Sequence, residues 1–176
     1  MAARQIKWSI QLLKFLLATA GQSPWPAIWR RPGLQSCTCH VRRYDVGLDQ
    51  FDKVIVAGSV HQLKHQKCLE IFVFAKREKL EAMPSMFVSV SLASAFPDAH
   101  YQAVEYCERF VSDTGWKPDK VAYVAGAVRH EDYGYFREQI LEHLVLEGAH
   151  YDDLVDDHEF TDWQAVGEAV QSFLAN

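Results

Sequence analysis

Four short segments of this 176-residue chain carry residue types suited to holding a small ligand by its anionic or aromatic parts. Thr19-Ala20-Gly21-Gln22-Ser23 is small, hydroxylated and glycine-containing. A turn of that composition, entered from a strand, can surround a phosphate with backbone N–H groups and hydroxyls and needs no lysine. The same composition also suits an ordinary turn. Gly58-Ser59-Val60-His61-Gln62 and Ser89-Val90-Ser91-Leu92-Ala93-Ser94 add hydroxyls. The imidazoles of His61 and His65 either donate to a ligand or sit solvated. Gly126-Ala127-Val128-Arg129-His130 carries a guanidinium, which grips carboxylates in bidentate fashion or pairs at the surface with Glu131 or Asp132.

Metal chemistry fits less well. Cys37-Thr38-Cys39-His40 has no second ligand cluster to complete a four-coordinate site. Asp152, Asp153, Asp156, Asp157 and Glu159 lack the glycine and spacing of a calcium loop. No metal is assigned. The four cysteines form no disulfide framework and read as thiols in a reducing compartment.

These segments need elements to position them. Val54-Ile55-Val56-Ala57-Gly58, Met86-Phe87-Val88-Ser89-Val90 and Val121-Ala122-Tyr123-Val124-Ala125-Gly126 are nearly continuous apolar runs, as in strands buried on both faces. Residues 14–19 give a fourth strand and 40–44 a weaker one at an edge. Leu69, Phe72, Val73, Lys76 and Leu80 fall at helical spacing, as do Val104, Cys107 and Val111, and then Phe136, Ile140, Leu144 and Val145. Thr161 and Gln164 form a capping box ahead of a stripe of Trp163, Val166, Val170, Phe173 and Leu174. Strands alternating with helices predict one doubly wound α/β domain, with ligands collecting beyond the carboxyl ends of the strands. With 49% apolar and 23% charged residues, the composition is that of an ordinary globular protein. A formal charge of −5 argues against nucleic acid as a partner.

The N-terminal region departs from this regularity. Arg4 and Lys7 ahead of Leu12, Leu13, Phe15, Leu16 and Leu17 outline a secretory signal, but Lys14 interrupts the apolar stretch. We therefore assign residues 1–13 to an N-terminal extension and 14–176 to the domain. Pro24, Pro26 and Pro32 oppose a full first helix, because proline removes a donor and clashes with the preceding turn.

Residues 51–176 resemble the flavodoxin-like, menaquinone-dependent protoporphyrinogen oxidases and their flavodoxin-domain relatives. The segments that carry the resemblance are Phe51-Asp52-Lys53-Val54-Ile55-Val56-Ala57-Gly58-Ser59 and Met83-Pro84-Ser85 running into Met86 to Leu92. Trp116-Lys117-Pro118-Asp119, then Ala125-Gly126-Ala127-Val128-Arg129, and finally Thr161-Asp162-Trp163 complete it. The resemblance implies a flavodoxin-like parallel five-stranded sheet in the order 2-1-3-4-5 with non-covalent FMN at its carboxyl edge. It implies FMN-dependent oxidation of protoporphyrinogen IX to protoporphyrin IX, with electrons passed to a quinone. Thr19, Gly21, Gln22 and Ser23 would then take the FMN phosphate, and Ser59, Val60, His61, Ser91, Leu92, Ala93 and Ser94 would flank its ring. Arg129 and His61 would serve the substrate. The family's phosphate loop leads into an unbroken helix, whereas here the proline-rich stretch follows.

The alternative is a flavodoxin-type electron carrier or FMN-binding module without porphyrin activity, whose acidic charge suits basic redox partners. A third is a relic with no cofactor. The expected location is cytoplasmic, with at most peripheral contact with the inner membrane, because Glu138, Glu142 and Glu147 oppose docking on anionic lipid.

Overall fold

The computed structural model describes residues 13–14, 48–128 and 158–175. The expected phosphate turn at 19–23, the edge strand at 40–44, the proline-rich stretch, the helix at 136–145, Arg129 and the aspartates from Asp152 to Asp157 lie outside the described residues.

Among the described residues, four parallel strands form the main sheet. They are β1 (Leu13–Lys14), β2 (Val54–His61), β4 (Ser85–Val90) and β5 (Lys120–Val124), in the spatial order β1-β2-β4-β5. A short β3 (Lys64–His65) folds back antiparallel onto the end of β2. The described strands follow the doubly wound order with its second strand, expected at 40–44, outside the described residues. The registers Leu13↔Ile55, Val54↔Ser85 and Met86↔Lys120 bring all the carboxyl ends to one edge.

Strand residues point alternately to opposite faces, so a run without polar interruption must be covered twice. On one face Val54, Val56 and Phe87 pack with Leu69, Phe72, Val73 and Leu80 of α1 (Lys67–Glu81) and with Cys107 and Phe110 of α2 (His100–Thr114). On the other, Ile55, Ala57, Met86, Val88 and Val124 meet Val166, Val170 and Phe173 of α3 (Trp163–Ala175). Of the two cysteines among the described residues, Cys107 is buried and Cys68 half-buried, and neither is in a disulfide.

Local details depart from the periodicity. The third apolar run is a strand only through Val124, and the chain then turns at Ala125 and Gly126 into β6 (Ala127–Val128), which pairs antiparallel with β7 (His158–Glu159). The buried stripe of α2 is Ala103, Tyr106, Cys107, Phe110 and Thr114, while Val104 and Val111 are only half-buried. The capping box also gives way. Asp162 caps α3, its Oδ1 accepting the Ala165 N–H at 2.9 Å, while Gln164 reaches forward to Glu168. Thr161 is used elsewhere.

Two long-range clamps close the amino edge. Asp119 Oδ2 accepts the Ser85 N–H at 2.8 Å, and the Asp119 N–H donates to the Ser85 carbonyl at 3.0 Å, stitching β5 to β4. Lys53 Nζ donates to the last carbonyls of α3, Phe173 O at 3.2 Å and Leu174 O at 2.9 Å, and lies 5.6 Å from the centre of the Phe173 ring. A cation on orphan C-terminal carbonyls satisfies hydrogen bonds that the helix leaves open and complements its dipole. Lys53→Met is therefore expected to lower unfolding stability by about 1–2 kcal/mol, read by urea denaturation at neutral pH.

Candidate functional site

The carboxyl edge is built from the ends of β2, β4 and β5. Ser59, Val60 and His61 are the last residues of β2, held extended by the hairpin with β3 in the register Val60↔His65 and His61↔Lys64. Val60 packs towards Ala93, Ala99, Ala103 and Tyr106. By strand alternation Ser59 and His61 project to the face that α3 covers further down. They are half-buried and bonded to each other, Ser59 Oγ to His61 Nε2 at 2.8 Å. Burial lowers the pKa of His61, which favours the neutral imidazole.

His65 lies on the opposite face. It is 4% exposed, its ring centre 5.1 Å from that of Phe87 and 4.9 Å from that of Phe110, with Nε2 3.1 Å from Ser89 Oγ. Burial pushes its pKa down to about 4, the Tyr106 backbone works the other way, and His61 adds to the depression. The connection between the hairpin strands is Gln62-Leu63, with φ of 51° and 64°. Both are left-handed and neither is glycine, a conformation that costs roughly 1–3 kcal/mol per residue. Arg109 Nη1 donates to the Leu63 carbonyl at 3.3 Å.

The second wall follows β4. Ser91 is buried, its N–H donating to Val124 O at 2.8 Å and its hydroxyl 3.2 Å from that of Ser94. In the 3-10 turn Leu92–Ala95, Ala93 is fully buried in the core, while Leu92 and Ser94 are half-buried. Phe96, just beyond it, packs on Phe160 with ring centres 5.7 Å apart.

The third wall is a lock between two distant segments. The Gly126 N–H donates to Thr161 Oγ1 at 3.0 Å, and the Phe160 N–H donates to Gly126 O at 3.0 Å. Gly126 has φ 81°, and a Cβ there would lie 2.9 Å from Val90 Cγ1. Only glycine meets both demands without strain. The lock fixes the start of α3 beside the end of β5.

The flavodoxin domain model matches residues 34–154. This chain belongs to the flavodoxin domain family. Among curated proteins it is 26% identical over 136 residues to the protoporphyrinogen IX dehydrogenase [quinone] of Escherichia coli (strain K12), covering 76% of this chain and 75% of that one. The protein of the same name from Leishmania major is 26% identical over 129 residues, covering 73% of this chain and 56% of that one.

In this flavodoxin domain the edge brings together Ser59, Val60, His61, Ser91, Leu92, Ala93 and Ser94, with Val90 directly opposite Ser59. Thr19, Gly21, Gln22, Ser23 and Arg129 lie outside the described residues. Sequence reasoning missed the Phe96–Phe160 pair and the partners of His65, which come from elements remote in the chain. Among the described residues no helix is long and apolar enough to cross a membrane.

The buried His65 sets a pH dependence. Its folded pKa of about 4 lies below the usual histidine value, so the unfolded chain binds the extra proton between the two. The contribution is complete above about pH 6.5 and is lost as pH falls towards 4, reaching about 3 kcal/mol. Denaturation of the wild type and of His65→Gln across pH 7 to 4 checks this. The variant is expected to lose less stability over the interval.

Proposed function

We propose that this chain is an FMN-dependent oxidoreductase that converts protoporphyrinogen IX to protoporphyrin IX and delivers the electrons to a quinone. The similarity to proteins of that name across three quarters of both chains carries this reading. The residue types at the described edge support this reading. Ser59, His61 and Ser94 are half-buried and uncharged or held towards the uncharged form, and suit a flat, neutral, hydrogen-bonding heterocycle. In this reading Ser59, Val60, His61, Ser91, Leu92 and Ser94 flank the ring while Ala93, buried in the core, supports the turn that carries Leu92 and Ser94, and Thr19, Gly21, Gln22 and Ser23 take the phosphate through backbone N–H groups and hydroxyls.

FMN, when bound, supplies the two-electron acceptance and onward transfer that no side chain offers. The chain's own residues bind, orient and tune. Arg129 receives a substrate carboxylate as a bidentate partner. His61, with Ser59 on Nε2, donates or accepts a hydrogen bond at the ring or substrate. The protein in this reading is cytoplasmic, with at most peripheral membrane contact at the quinone.

The second reading, a flavodoxin-type electron carrier or FMN-binding module, draws on the net charge of −5, which suits docking on a basic redox partner. Titration of the purified chain with FMN, followed by flavin fluorescence and visible absorbance, is expected to show saturable binding. The holoprotein is then expected to consume protoporphyrinogen IX with a menaquinone analogue present. Arg129→Ala should retain flavin and lose at least about tenfold in kcat/KM. Flavin binding without porphyrinogen turnover would select the carrier, and a chain that takes up no FMN would sink both readings.

A further inference from the structure

The β2–β3 hairpin raises a question of what holds it. Its ladder has only the pairs Val60↔His65 and His61↔Lys64, and its Gln62-Leu63 turn is left-handed at both residues without glycine. A short two-stranded ribbon with an unfavourable turn does not hold itself together in water. Gln62, Leu63 and Lys64 are all exposed. His65 is the buried residue of β3 and the tip's anchor in the core, between Phe87 and Phe110, with Nε2 on Ser89 Oγ. Gly58 beneath it makes room for Leu69 of α1, with which a Cβ there would clash, whereas His65 Cδ2 would lie at an ordinary contact distance of 3.5 Å.

We infer that His65 is a positioning residue for the candidate site, a latch whose seat between Phe87 and Phe110 holds the strained hairpin closed and so fixes Ser59 and His61 at the sheet edge. The two sides of the hairpin divide the work. His65 and Val60 anchor it to the face beneath α2, and Ser59 and His61 are thereby presented on the other face. The Ser89 hydroxyl gives the imidazole a polar partner that an apolar side chain cannot use.

Hydrogen exchange of the full chain tests the latch. In His65→Leu, backbone amides of residues 59–65 are expected to exchange about tenfold faster or more, while β4 and α2 keep their protection. His65→Gln, whose terminal amide reaches towards Ser89 as Nε2 does, is expected to stay near wild type. Ser89→Ala removes only the polar partner and tests the same point if His65→Leu does not fold, with acceleration confined to 59–65. Unchanged exchange there in the folded variants, or equal acceleration throughout the sheet, would overturn the inference.

A second readout rests on the flavin reading. In His65→Leu the visible circular dichroism of added FMN is expected to change and its Kd to rise about tenfold, with His65→Gln restoring both. Unaltered dichroism and Kd in His65→Leu would overturn the positioning role. Wild-type protein that binds no FMN would remove the flavin reading alone, because the exchange result needs no ligand.

Discussion

The central constraint is that β2 and β4 are buried on both faces. Val54 and Val56 enter one core while Ile55 and Ala57 enter the other, and Phe87 is likewise opposed by Met86 and Val88. A strand of this kind cannot lie at a solvated surface, so helices must return over each side and the connections must be crossovers. Parallel pairing then gathers the carboxyl ends at one edge. Burial of the strand middles thus decides where chemistry can occur: at the ends, where the apolar runs give way to Ser59, His61, Ser91 and Ser94.

The segments that carry the resemblance in the sequence work mainly below or beside that edge. Trp116 fills the core against Phe87 at 5.9 Å, and Asp119 ties β5 to Ser85 at the opposite end of the sheet. Thr161 and Asp162 divide two tasks that a single capping residue would have combined, the first accepting from Gly126 and the second capping α3. Such motifs identify an arrangement of backbone before they identify a reaction. Family membership therefore speaks more directly to the fold than to a reaction.

Much of this fold is legible in the sequence because its signals are local. The runs at Val54 to Ala57 and Met86 to Val90 need only their own composition to read as buried strands, and Leu69, Phe72, Val73 and Leu80 need only their spacing to read as one helix face. The hairpin is illegible for the converse reason. Its turn contains no Asn, Asp or Gly, its second strand has two residues, and His65 sits in a polar stretch that suggests solvent. Phe87 and Phe110 bury it from 22 and 45 positions away in sequence, counted from 65 to 87 and from 65 to 110. The cap of α3 is ambiguous locally, since Thr161 and Asp162 are both good capping residues. The contact with Gly126, 35 residues away, accounts for the different use of Thr161.

The distribution of strain follows the same division between the strand middles and their ends. Left-handed backbone at Gln62 and Leu63 is unfavourable wherever it occurs, and glycine or asparagine there would relieve it. It persists because the groups on either side are over-determined: His65 is enclosed by aromatic rings and Val60 is packed under α2, while Arg109 takes the turn's carbonyl. A rigid core can impose an unfavourable turn on a short ribbon, whereas a loop of free length would relax. The cost lies next to the hydrogen-bonded pair Ser59 and His61, and the well-packed strand middles carry it.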